Sequence, residues 1–163
     1  DGAMAAGLAT RLWRAGFSPD SILQTVNAAL LVKSREESLA TLDVAVVDEF
    51  SGRLDNFKAG AAASLLRSGE RVSRIERPGL PLGILPQVSF EHSHDWLADG
   101  DILLLVSDGA LSGGMAALEA LLRRHPVGDS MQALADAVVA AARAAQTEHQ
   151  DDITAVALRL HRR

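Results

Sequence analysis

The chain has 163 residues and a mass of 17.2 kDa, enough for one domain that buries roughly 68–70% of the surface its unfolded form exposes. At 48% hydrophobic against 23% charged residues it is too apolar for a disordered tail, and its longest strand-like apolar run, Ile102 to Val106, is far too short to span a bilayer. A net charge of -5 argues against nucleic acid as the main partner; zero cysteines exclude disulfides and thiolate chemistry and fit a reducing, cytoplasmic setting. Arg11 and Arg14 sit inside an amphipathic stretch, so no secretory leader is read at the start.

Ala5, Leu8, Ala9, Leu12 and Trp13 recur at helical spacing, and Gly16 supplies a stop. Ser18-Pro19-Asp20 then caps and opens a second helix over residues 19 to 32, with Ile22, Leu23, Val26 and Leu30 as its apolar stripe. From residue 39 to 48 the period shortens to that of a strand. Glu49-Phe50-Ser51-Gly52 reads as a hairpin turn, with Arg53 to Lys58 returning. A second hairpin joins 64–67 to 71–76 through Ser68-Gly69-Glu70. Pro78 to Pro86 is rich in proline and glycine yet apolar, which suits a packed irregular loop and no domain boundary. A strand is expected near 87 to 91, with His92-Ser93-His94 as a solvated loop after it. The turn Ala98-Asp99-Gly100-Asp101 leads into the strand Ile102–Val106. Helices over 115–124 and 130–146, the latter capped by Ser130, precede a last strand over 153–160.

Chemistry is read where these strands end. Strand 102 to 106 stops in Ser107-Asp108-Gly109, an acidic side chain at a fixed sheet exit followed by a glycine that permits a sharp turn or a close approach. Asp151-Asp152 stands just before the last strand. Carboxylates brought together from two strand ends repel unless a cation lies between them, and hard oxygen donors select Mg²⁺ or Mn²⁺ over zinc or copper. Turn and cap roles are the plain alternative for both acidic units. Asp43 is the single charged residue in an apolar strand, so it faces a wet or cationic site or has a polar partner. Lys58 reads as a solvated strand end, and His92 and His94 as solvent-facing rather than metal-binding.

Six segments, in this order, resemble the SpoIIE-type bacterial serine/threonine phosphatases of the PP2C-like class. They are Glu37 to Asp43, Lys58 to Ala62, Leu80 to Leu85, Gly100-Asp101, Ser107-Asp108-Gly109, and Asp151-Asp152-Ile153-Thr154. The resemblance implies an α+β fold, two packed antiparallel sheets flanked by helices in an α/β/β/α sandwich, as a single domain over 1–163. It implies two Mn²⁺ or Mg²⁺ ions, about 3.5–4 Å apart, activating a water for attack on phosphoserine or phosphothreonine, with no phosphoenzyme. Asp108 and Asp151 carry over as metal ligands, while Gly109 and Asp152 are neighbours of the ligands and, together with Asp43, are expected to support the ligands from behind or to face the substrate. The implied substrate is a phosphorylated anti-sigma-factor antagonist in the cytoplasm, with no membrane contact by this domain.

The family's upstream strands and Asp-Gly-Met-Gly-like metal element have no full counterpart. Asp1-Gly2-Ala3-Met4 is either a remnant of that element, making Asp1 and Gly2 further ligands, or the residue of a cloning junction; the junction is preferred, and the domain is expected to be N-terminally truncated. An unpaired sheet edge would then invite a homodimer. A catalytically silent binding module of the same fold is the alternative function.

Overall fold

The structure, a computed structural model, describes residues 2–33, 39–87, 91–147 and 151–161. Its elements run α1 (Gly2–Arg14), α2 (Pro19–Lys33), β1 (Leu42–Val47), β2 (Arg53–Ala59), β3 (Ser64–Ser68), β4 (Arg71–Ile75), β5 (Glu91–Trp96), β6 (Ile102–Val106), α3 (Met115–Arg124), α4 (Met131–Ala145) and β7 (Ala155–Arg159), with a 3-10 turn at Asp108–Leu111. Two antiparallel sheets form, ordered β1-β2-β5 and β4-β3-β6-β7. The chain divides into two compact units, one of residues 1–46, 55–61 and 77–94, the other of 47–54, 62–76 and 95–163.

In the first unit, α1 ends as its glycine predicts. Gly16 takes φ +83°, its N–H donates to the Trp13 carbonyl at 3.0 Å, and the Phe17 N–H reaches back to Leu12 at 3.1 Å, a Schellman closure that satisfies carbonyls left over at a helix end. Ser18 then caps α2, its Oγ accepting the Ser21 N–H at 3.3 Å. Ala5, Ile22, Val26 and Leu30 of the two helices bury together with Ala40, Ala59 and Leu82. The proline-rich loop, expected to be packed, is packed only at its centre: Pro81 and Gly83 are half-buried about Leu82, while Pro78 to Leu80 and Ile84 to Pro86 are exposed. Leu82 is fully buried and exchanges both backbone hydrogen bonds with Ala40, at 3.1 and 2.8 Å. From α2, Asn27 holds the same loop, donating to the Leu85 carbonyl at 3.0 Å and accepting the Gly83 N–H at 2.8 Å.

In the second unit, β3 is paired on both sides, to β4 with Ser64 opposite Ile75 and to β6 with Leu66 opposite Leu103. Leu65, Ile102 and Leu104 pack with Leu118 and Leu122 of α3 and Leu134 and Val138 of α4. Arg67 closes α3, its guanidinium donating to the carbonyls of Leu122 (3.0 Å) and His125 (2.6 Å). Ser130 caps α4 by accepting the Ala133 N–H at 3.1 Å.

Three expectations change. The strand read over 39–48 is confined to Leu42–Val47, because Ala40 pairs with Leu82 instead. The strand placed at 87–91 runs from Glu91 to Trp96, with 88–90 outside the described residues; His92-Ser93-His94 is therefore strand and not loop. Its Ser93 is buried, and His92 stacks on Phe57 at 4.4 Å between centroids. The last strand is shorter than 153–160 because Asp152 and Thr154 bond to Ser107 rather than to a ladder.

Candidate metal centre

β6 is buried along most of its length, and β7 pairs with it so that Val106 faces Ala155. The two chains therefore leave the sheet side by side. Ser107 joins them just beyond the last pair. Its N–H donates to the Thr154 carbonyl at 3.0 Å, its Oγ accepts the Thr154 N–H at 2.9 Å, and its hydroxyl donates to the Asp152 carbonyl at 3.2 Å. Three hydrogen bonds from one residue fix the segments that carry Asp108 and Asp151.

Gly109 is what allows the segments to touch. It is buried, and a Cβ built on it would run into the Asp152 carbonyl oxygen and stand 3.5 Å from the Asp151 Cβ. The glycine is required here by close approach rather than by a left-handed backbone. Each carboxylate is oriented by the amide that follows it: Asp108 Oδ1 accepts the Gly109 N–H at 3.1 Å, and Asp151 Oδ1 accepts the Asp152 N–H at 2.9 Å. Gln146, just past α4, donates to the Asp151 carbonyl at 3.0 Å. Asp108, Asp151 and Asp152 are all exposed, so two oriented carboxylates are presented together to solvent.

Asp43 has a different environment. It belongs to the first unit, where Lys58 Nζ meets its Oδ2 at 2.5 Å and Asn56 Nδ2 donates to its Oδ1 at 2.9 Å. Of the two roles open to it, a polar partner is the one observed. The Lys58 side chain is 1% exposed, so the solvated strand end expected for Lys58 is corrected: it lies beside Asp43 on the neighbouring strand, and that charge offsets part of its burial cost. Gly2 is the first residue of α1; Asp1 lies outside the described residues. His92 Nε2 is 3.2 Å from Asp55 Oδ1, and its ring lies 6.4 Å from that of His94.

Exposed carboxylate oxygens on adjoining segments fit a hard divalent cation in kind. In number they fall short: among the described residues no group of three or more Asp, Glu or His side chains is placed to hold one ion. Sequence reasoning singled out Asp108 and Asp151 but gave Ser107 no role. Its signal, a hydroxyl at the last position before the acidic turn, becomes legible only once β6 and β7 are known to be neighbours.

Comparison with known proteins bears on the same region. The family model for stage II sporulation protein E (SpoIIE) matches residues 2–161. The Bacillus subtilis stage II sporulation protein E is 26% identical over 106 residues, 65% of this chain and 13% of that protein. A solved structure of the B. subtilis SpoIIE PP2C phosphatase domain with a fragment of its regulatory domain superposes with a TM-score of 0.84 at 22% identity, over 97% of this chain and 50% of that one. The B. subtilis SpoIIE phosphatase domain presoaked with Mn gives a TM-score of 0.65 at 21% identity, over 99% of this chain and 75% of that one. The chain thus spans a small part of the full-length relative and about half of the longer solved structure. The fold expected from sequence, α+β with two antiparallel sheets and flanking helices, is that of these PP2C-like domains. With nearly its whole length matched, the chain belongs to the SpoIIE family of bacterial PP2C-like phosphatase domains.

Proposed function

We propose that this chain is the catalytic part of a metal-dependent phosphoserine/phosphothreonine protein phosphatase, acting in the cytoplasm on a phosphorylated regulatory protein of the anti-sigma-factor-antagonist type. The observation that supports it most is the Ser107 linkage, which sets Asp108 and Asp151 on adjoining segments although 43 residues separate them in sequence. Asp108 and Asp151 would hold Mn²⁺ or Mg²⁺, with Asp152 next to them. Such ions supply Lewis acidity, which lowers the pKa of water and offsets phosphoryl charge. The chain's own contribution is positional: Ser107 and Gly109 keep the two segments together, and the amides of Gly109 and Asp152 each hold one oxygen of an exposed carboxylate.

The shortfall in donors favours a second reading, a binding module of the same fold without turnover. Hydrolysis of an aryl phosphate with Mn²⁺, with and without chelator, separates the two when it is run on this chain and on one extended upstream by the family's metal element. Chelator-sensitive turnover that Asp108→Asn abolishes, with the variant's melting curve unchanged, supports the phosphatase. An extended chain that binds Mn²⁺ and hydrolyses nothing leaves the binding module.

A further inference from the structure

The helix pair of the first unit leaves a gap over β1 and β2. Ile22, Val26 and Leu30 close one end against Ala5, Ala59 and Leu82, but toward the α1 C-terminus a cavity of about 390 Å³ remains between α1, α2 and these strands. Its origin is visible in the sequence. Over its middle α1 offers the small side chains of Ala6, Ala9 and Thr10, with Trp13 and Arg14 at its end, and Leu42 and Val44 beneath are left half-buried. The volume lies within the range of small-molecule sites, which are mostly apolar with a few polar groups that fix orientation.

The polar groups on its lining are unequal. The Thr10 hydroxyl is already committed to the Ala6 carbonyl at 2.8 Å. The Asp43 carboxylate is turned to Lys58 and Asn56, on the strand face opposite Leu42 and Val44 because side chains alternate. Arg14, the last residue of α1, lines the cavity, is exposed, and makes no ion pair or side-chain hydrogen bond among the described residues. Among the described residues the lining therefore combines apolar walls, including Trp13 and Phe57, with the Arg14 guanidinium.

We propose that this cavity binds an amphiphilic carboxylic acid, its hydrocarbon body against Trp13, Leu42 and Phe57 and its carboxylate on the Arg14 guanidinium. Arg is suited to that role because its planar fork takes both oxygens of a carboxylate. The inference stands apart from the phosphatase reading, since it uses neither Asp108 nor Asp151.

The test titrates the 163-residue chain, free of metal, with monomeric decanoate and separately with decanol, following the emission of Trp13. The other tryptophan, Trp96, is 63% exposed and is replaced by Phe throughout to give a single reporter. Saturable decanoate binding, tighter than that of decanol, is expected. Arg14→Ala should weaken decanoate about tenfold and leave decanol unchanged, the loss of one charge-assisted contact. Ala9→Phe should fill the cavity and abolish binding of both while retaining the far-ultraviolet circular dichroism of the parent; Ala6→Leu replaces it if that variant does not fold. Absence of saturable decanoate binding overturns the proposal, as does decanol binding as tightly as decanoate, or a folded cavity-filled variant that binds like the parent.

Discussion

The two units treat the same side chain in opposite ways. Asp43 is nearly enclosed, with Lys58 and Asn56 on its two oxygens. Asp108 and Asp151 each spend one oxygen on a backbone amide and are otherwise open to water. A carboxylate that is neutralised internally contributes to the fold and resists change; one oriented by its own backbone and left in solvent is available for a ligand at little cost to the fold.

The largest effect that sharpens this contrast is expected at Lys58. Lys58→Met removes the ammonium that meets Asp43 Oδ2 and should cost about 3–5 kcal/mol, whereas Lys58→Met combined with Asp43→Leu should recover most of the loss, because a buried ion pair replaced as a unit is often close to neutral. Urea unfolding of the two variants reads this directly. Next comes Gly109→Ala, which sets a methyl group against the Asp152 carbonyl and should cost about 1–3 kcal/mol as the segments move apart; Mn²⁺ affinity, measured by calorimetry, should fall with it. Asp108→Asn and Asp151→Asn should change stability in chelator by less than about 0.5 kcal/mol, as exposed substitutions do, yet each should abolish Mn²⁺ binding. A stability loss at Asp108 comparable to that at Lys58 would erase the contrast.

The smallest effect is at Asp48, in the β1–β2 turn, whose carboxylate is held below its ordinary pKa by the backbone amides of Ser51 and then Phe50, at 3.0 and 2.9 Å. Because the folded-state value is the lower one, its stabilisation is present above the unfolded pKa of about 3.9 and is lost as pH falls through the folded value. Asp48→Asn should therefore be slightly less stable than the parent at neutral pH, and the difference should vanish in acid.

Much of the helical layer was legible because its signals are local. The Gly16 stop, the Ser18 and Ser130 caps and the apolar stripe of 115–124 each act within a few residues, and α3 and β6 have the bounds expected. The sheets were legible as hairpins and less so at their edges. β5 combines histidines, a serine and acidic residues, a composition that reads as loop, and is held in a strand by pairing with β2 and by Phe57 stacked on His92. Lys58 was misread for the same reason, since nothing beside it in sequence shows that Asp43 lies 2.5 Å away. At the candidate site, the acidic residues were visible as strand-end motifs. The bonds of Ser107 that join them across 45 and 47 positions were not.

Those Ser107 bonds have an engineering consequence. They run to main-chain atoms of Asp152 and Thr154, so the mounting is indifferent to what projects from positions 108 and 151. If the pair holds a cation as proposed, a histidine introduced at either position would be carried by the same main-chain mounting, and preference among ions becomes a property to reprogram at two positions while the scaffold stays as it is.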